Sequence, residues 1–85
     1  MKLLYFAWVR EKIGRQMEER ALPADVKTVG DLLKWLESQG ANYAAALGRR
    51  ETLRVAVNGE AVAFDHAVGD GDEIAIFPPV TGGAT

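Results

Sequence analysis

Beyond Phe77 this chain has no segment able to continue a helix or a central strand. Its last nine positions, Phe77-Pro78-Pro79-Val80-Thr81-Gly82-Gly83-Ala84-Thr85, set two adjacent prolines before two adjacent glycines. The prolines fix φ, hold the backbone extended and cannot donate to a sheet ladder. The glycines remove side chains and open φ values closed to other residues. Any core must therefore come from residues 1–77, with 78–85 as an extended tail. From Pro78 to Gly83 such a tail reaches about 20 Å at ~3.3 Å per residue. Stiff at its base and narrow near its tip, it suits a carboxylate presented to the active site of another protein. Ala84-Thr85 are the awkward part, since they stand beyond the glycines.

Eighty-five residues, 48% of them hydrophobic, supply one small core and no second one. The longest apolar run, Leu3 to Val9, is far too short to span a bilayer. No basic-apolar-small progression marks a signal peptide, so the expected location is cytoplasmic. Twelve acids and ten bases are interspersed for a net charge of −2, which gives no electrostatic footprint for nucleic acid. The tightest basic group, Arg49-Arg50 with Arg54 nearby, reads either as a solvated turn or as a contact for phosphate or an acidic partner. There is no cysteine, which removes disulfides, thiolate nucleophiles and cysteine-based zinc sites. A single histidine, His66, cannot build a histidine cluster, and no metal site is expected. His66 and the acids of Asp70-Gly71-Asp72-Glu73 read as turn residues.

Along the chain, Lys2 to Val9 reads as a strand with two apolar faces, Leu3, Tyr5 and Ala7 on one and Leu4, Phe6 and Trp8 on the other. Such a strand is either buried on both sides or leaves one face for a partner. Arg10 to Arg15 is a charged connection with room for a helical turn, broken by Gly14, and Gln16 to Leu22 is a second strand ended by Pro23. Thr28 is a good N-cap with Asp31 three residues on. Val29, Leu32, Leu33 and Leu36 then form one helical stripe, with Trp35 at its edge and Gly40 as the stop. Asn42 to Leu47 allows a short second helical turn. Leu53 to Val57 and Glu60 to Phe64 are strands joined by the hairpin signal Asn58-Gly59. Glu73 to Phe77 is the last strand. Strand, strand, helix, strand, strand, strand predicts an α+β fold. It is the β-grasp roll of ubiquitin: a mixed sheet of about five strands, one main helix, and the first and last strands side by side in the centre.

The segments Phe64-Asp65-His66, Gly71-Asp72-Glu73 and Phe77-Pro78-Pro79-Val80-Thr81-Gly82-Gly83 resemble the small subunit of molybdopterin synthase, the MoaD family. Tyr5-Phe6-Ala7-Trp8-Val9-Arg10-Glu11 with Gly14 is similar to that family's first strand and connection. The resemblance implies a sulfur carrier that is not catalytic alone. It implies no permanently bound cofactor, ATP being used by an E1-like adenylating enzyme of the MoeB type to form an acyl-adenylate at Gly83. A persulfide then yields a thiocarboxylate, and the tail enters the large subunit, MoaE, where sulfur passes to cyclic pyranopterin monophosphate. Two small and two large subunits make the expected heterotetramer, with no membrane or nucleic-acid partner.

Carried onto this sequence, Gly83 is the sulfur-bearing residue once Ala84 and Thr85 are removed. Pro78, Pro79, Val80, Thr81 and Gly82 thread the partner's active site. Phe6, Arg10 and Phe77 contribute to the partner interface, and Ala61 stands where the family pattern has a larger apolar residue. Three explanations account for Ala84-Thr85: a precursor trimmed by a protease, an expression remnant, or a paralogue that carries no sulfur. Two other functions fit a β-grasp chain: a sulfur carrier for thiamine, cysteine or tRNA thiolation, and a ubiquitin-like binding module without covalent chemistry.

Overall fold

Alternating apolar residues on two strands distant in sequence decide the fold. The computed structural model describes residues 1–79. In it β1 (Lys2–Tyr5) and β5 (Glu73–Phe77) run parallel, with Leu3 beside Ile74 and Tyr5 beside Ile76. β2 (Met17–Glu19) pairs antiparallel with β1, β3 (Arg54–Val57) with β5, and β4 (Glu60–Val62) with β3. The resulting order, β2-β1-β5-β3-β4, is the predicted β-grasp sheet with the first and last strands in the centre. Leu3, Tyr5, Val55, Ile74 and Ile76 form its inner face and are fully buried or nearly so.

Three helices share that core: α1 (Ala7–Ile13), α2 (Val29–Glu37) and α3 (Ala41–Leu47). In α2 the capping box is complete. Thr28 Oγ1 accepts from the Asp31 amide at 3.1 Å, while Asp31 Oδ2 accepts from the Thr28 amide at 3.2 Å. Val29, Leu32, Leu33 and Leu36 are all fully buried, as their spacing predicts. Asn58 (φ 51°) and Gly59 (φ 88°) turn the β3–β4 hairpin with both central residues left-handed, the geometry that matches strand twist.

The structure departs from the sequence reading in five places. The first strand ends at Tyr5, not Val9, because Ala7 takes φ 55° and starts α1, which Gly14 (φ 92°) ends. Trp8 therefore lies on a helix and does not share a strand face with Leu4 and Phe6. The second strand is Met17–Glu19, three residues, not Gln16 to Leu22, since after the Arg20 amide donates to the Met1 carbonyl at 3.0 Å the chain leaves the ladder and the Leu22 amide donates to Asp70. Helix α2 ends earlier than expected, at Glu37 with Ser38 as its cap, and Gly40 precedes α3. The third strand begins at Arg54 after a single 3-10 turn at Arg50–Thr52. The fourth stops at Val62, because the Phe64 carbonyl accepts from the Gly30 amide at 2.8 Å instead of continuing the ladder.

Candidate functional site

The site is built around the root of the tail. Because β5 is a central strand, its last residue, Phe77, lies in the middle of one end of the sheet, and Pro78 and Pro79 follow, half-buried. Val80, Thr81, Gly82 and Gly83, named above as threading and sulfur-bearing residues, lie outside the described residues, as do Ala84 and Thr85.

Phe6 is placed beside this root by its backbone. Its amide donates to the Ile76 carbonyl at 3.1 Å, extending the β1–β5 pairing by one step. Its own carbonyl accepts from Val9 and Arg10 in the first turn of α1. Extended at φ −127° and following the inward Tyr5, Phe6 points away from the core and is 46% exposed. Ala7, at φ 55°, makes the turn, a left-handed conformation costing a non-glycine residue on the order of 1 kcal/mol. Arg10, in the next helical turn, is exposed.

The outer face of the sheet carries three ordered rows. At the end away from the tail, Lys2 stands between Glu19 and Glu73, with its ammonium 3.8 Å from Glu73. In the middle, register aligns Met17, Leu4, Ala75, Ala56 and Ala61 across all five strands. Nearest the tail, Phe77 pairs with Arg54. Met17 is 45% exposed and Ala61 is exposed, while Leu4, Ala75, Ala56 and Phe77 are half-buried. An apolar band with small residues at its centre lets a partner's backbone come close, and it continues to Phe6 and the prolines.

Inward-facing polar groups hold Met17 outward. Between Met17 and Glu19, Glu18 turns into the core and its Oε2 accepts from the hydroxyls of Tyr5 (2.7 Å) and Tyr43 (2.6 Å). Its Oε1 accepts from Arg15 (3.2 Å) and Arg20 (3.0 Å). The Arg20 guanidinium also stacks on the rings of Trp35 and Tyr43, 5.4 and 5.8 Å from their centroids. Burial pushes the Glu18 carboxyl up. The hydrogen bonds from Tyr43, Tyr5 and Arg20, with the Arg20 charge, outweigh it and hold the group below the ordinary glutamate value. Burial, reinforced by Glu18, pushes the Tyr5 hydroxyl well above its usual range, so it remains the donor.

The remaining sequence candidates are dispersed. Arg49 pairs with Glu51, Arg50 with Glu37, and Arg54 stands apart on the sheet, so the basic group of the sequence is not one patch. His66 is exposed, with its amide donating to Ala63 across a turn. Asp72 organises its own turn, accepting from Asn58 Nδ2 (2.9 Å) and the Gly69 amide (2.8 Å), bonds that hold its carboxyl below the ordinary value. Asp70 accepts from the Leu22 amide at 2.8 Å. Sequence reasoning did not single out Met17, Ala56 or Ala75, and it grouped Arg54 with the wrong neighbours. Their common row follows only from strand register. No helix among the described residues is long and apolar enough to cross a membrane.

The sequence model of the ThiS family matches residues 3–83, nearly the whole chain. The chain belongs to the ThiS family. Among its relatives, the molybdopterin synthase sulfur carrier subunit of Escherichia coli (strain K12) is 47% identical over 83 residues, covering 98% of this chain and 99% of the relative. The same-named subunit of Haemophilus influenzae is 40% identical over 83 residues, with the same coverage. Of solved structures, SAMP1 from Haloferax volcanii superposes with a TM-score of 0.75 at 32% identity, covering 96% of this chain and 97% of that one.

Proposed function

We propose that this chain is the sulfur-carrier subunit of molybdopterin synthase and that Gly83 bears the sulfur. The near-complete match to sulfur carrier subunits at 40–47% identity carries the reading. The outer face supports it by setting an apolar docking band at the root of the tail.

A carboxylate is a poor acyl donor because oxide is a poor leaving group. Adenylation of Gly83 by an E1-like partner at the expense of ATP supplies AMP as the leaving group. The outer sulfur of a persulfide then displaces AMP to give an acyl disulfide. A thiol cleaves its S–S bond, leaving the thiocarboxylate on Gly83 and a disulfide on the sulfur donor, so one hard substitution is divided into easier steps. The thiocarboxylate is delivered through a channel in the large subunit to cyclic pyranopterin monophosphate. Gly82 and Gly83 fit where Cβ atoms would obstruct, and Pro78 and Pro79 lower the entropy lost on threading. In this reading Gly83 becomes the reactive terminus on removal of Ala84 and Thr85, and Phe6, Arg10 and Phe77 meet the large subunit.

Intact-mass measurement tests it directly. A chain ending at Gly83, incubated with ATP, the adenylating enzyme and a sulfur donor, gains about 16 mass units as oxygen is replaced by sulfur. No gain overturns the proposal. Complementation of strains lacking individual carriers separates the molybdenum route from thiamine, cysteine and tRNA thiolation.

A further inference from the structure

Among the described residues, Lys2, Arg15, Arg20, Arg49 and Arg50 each meet a carboxylate. Arg54 meets no carboxylate among the described residues, as is also true of Arg10, Lys12, Lys27 and Lys34, but it alone of these stands on the outer sheet face: its Nη1 donates to the Leu53 carbonyl at 2.9 Å, and the residue is exposed. It sits directly across from Phe77, in the row nearest the tail. It also lines a shallow cavity of about 290 Å3 whose other walls are Val62, Ala63 and Phe64. The acids of the same sheet face, Glu19 and Glu73, are at the opposite end of the strands.

A guanidinium on an apolar wall next to a docking band has a defined requirement. If a purely apolar surface covered it, the charge would be desolvated without a partner, which is costly. A carboxylate answers the planar fork with two hydrogen bonds, while the arginine stem and the cavity take apolar contact. A single cation flanked by apolar side chains does not make a track for a polyanion.

We propose that Arg54 and the cavity beside it form a docking subsite for the protein that takes up the tail, receiving an apolar side chain flanked by a carboxylate. This rests on the reading of the chain as a tail-donating carrier. Continuity supports the choice of occupant, because whatever grips the tail at Phe77 also covers Arg54. The subsite gives the partner a direction along the strands, with its carboxylate toward the tail root and away from Glu19 and Glu73.

Titration calorimetry against the molybdopterin synthase large subunit from the same source tests the subsite, with Arg54→Leu, Arg54→Glu, Arg54→Lys and a Phe77→Asp control. Arg54→Leu is expected to bind about tenfold more weakly and Arg54→Glu at least about fiftyfold more weakly. Arg54→Lys, which keeps the charge and loses the fork, falls between the parent and Arg54→Leu. Added salt narrows the gap between the parent and Arg54→Leu. Thermal melts close to the parent's show that the exposed substitutions leave the fold intact. If Arg54→Leu binds as tightly as the parent while Phe77→Asp releases the partner, the subsite is overturned and the carrier reading stands. If Phe77→Asp also binds unchanged, the assignment of this face to the large subunit fails with it.

Discussion

Tyr5 donates its hydroxyl to Glu18 at 2.7 Å, tying the centre of the sheet to its edge strand from the core side. The same carboxylate oxygen takes the Tyr43 hydroxyl from α3, and the other oxygen takes Arg15 and Arg20. A glutamine cannot repeat this. Its single amide oxygen can serve one pair of donors, and its NH2 then faces the other pair. Glu18→Gln is therefore expected to cost on the order of 3 kcal/mol, since breaking a buried charged network leaves groups unpaired. For a chain of this size the melting temperature would fall by roughly 15 °C. Urea unfolding checks the value, and a loss below about 0.5 kcal/mol would show that the network is not held as described.

The same group sets a pH dependence. Glu18 has a lower pKa in the folded chain than the ordinary 4.5, so the unfolded state binds more protons near that pH. Its contribution is complete above the ordinary value and is lost as pH falls through the folded one. Asp72 shifts the same way, so the parent's acid limb mixes several groups. The stability difference between the parent and Glu18→Gln isolates the Glu18 part. That difference is expected to be flat from about pH 7 to 5 and to shrink below about pH 4.5. A difference that grows on acidification would contradict the depressed pKa.

The parts of the fold that were legible in the sequence are those specified by neighbours along the chain. Thr28 with Asp31, the stripe from Val29 to Leu36, and Asn58-Gly59 each carry their own chemistry within a few residues, and β5 alternates without interruption. Helix α1 was hidden because Ala7-Trp8-Val9 continues a strand-like apolar run. The turn that ends the strand is a left-handed alanine, which no residue type announces. Packing decided there: Val9 and Ile13, four apart, are buried only if the segment is helical. The outer sheet face was legible as apolar residues at Phe6 and Phe77 but not as a surface. Aligning Met17, Leu4, Ala75, Ala56 and Ala61 requires pairing strands from both ends of the chain, and the inward turn of Glu18 is what sends Met17 out.

The capping box gives a prediction confined to α2. Thr28 satisfies the Asp31 amide, and its own amide is satisfied in return. Thr28→Ala removes the acceptor and is expected to cost about 1 kcal/mol, whereas Thr28→Ser, which keeps the hydroxyl, should stay within a few tenths. Thermal or urea melts distinguish the two. Equal losses would mean that the methyl packing, not the cap, matters at this position.

Gly59 gives a contrasting test, because its surroundings are open. A Cβ built there meets nothing within 4 Å, yet φ is 88°. Any loss on Gly59→Ala must therefore come from backbone conformation, on the order of 1 kcal/mol. Gly59→Asn, a residue that tolerates left-handed φ, should recover part of it. If alanine and asparagine cost the same, the hairpin has relaxed to another turn.

Phe6 and Met17 separate stability from docking. Each leaves nearly half its surface in water, 46% and 45%, so truncation removes less core contact than at a fully buried position. Phe6→Ala and Met17→Ala are each expected to cost the isolated chain no more than about 1 kcal/mol, because only the buried fraction of each side chain is lost. Against the large subunit, the proposed partner, Phe6 is an aromatic anchor beside the tail root, whereas Met17 lies at the far edge of the apolar row. Phe6→Ala should therefore weaken binding by about 2 kcal/mol, roughly thirtyfold, and Met17→Ala by only a few-fold. Leu3→Ala supplies the opposite pattern. Fully buried on the inner face, it should destabilise the chain by about 3 kcal/mol while leaving the affinity of the folded fraction nearly unchanged. Melting and binding curves on the same three variants decide the matter, and a Phe6→Ala chain that binds at parental strength would remove Phe6 from the docking face.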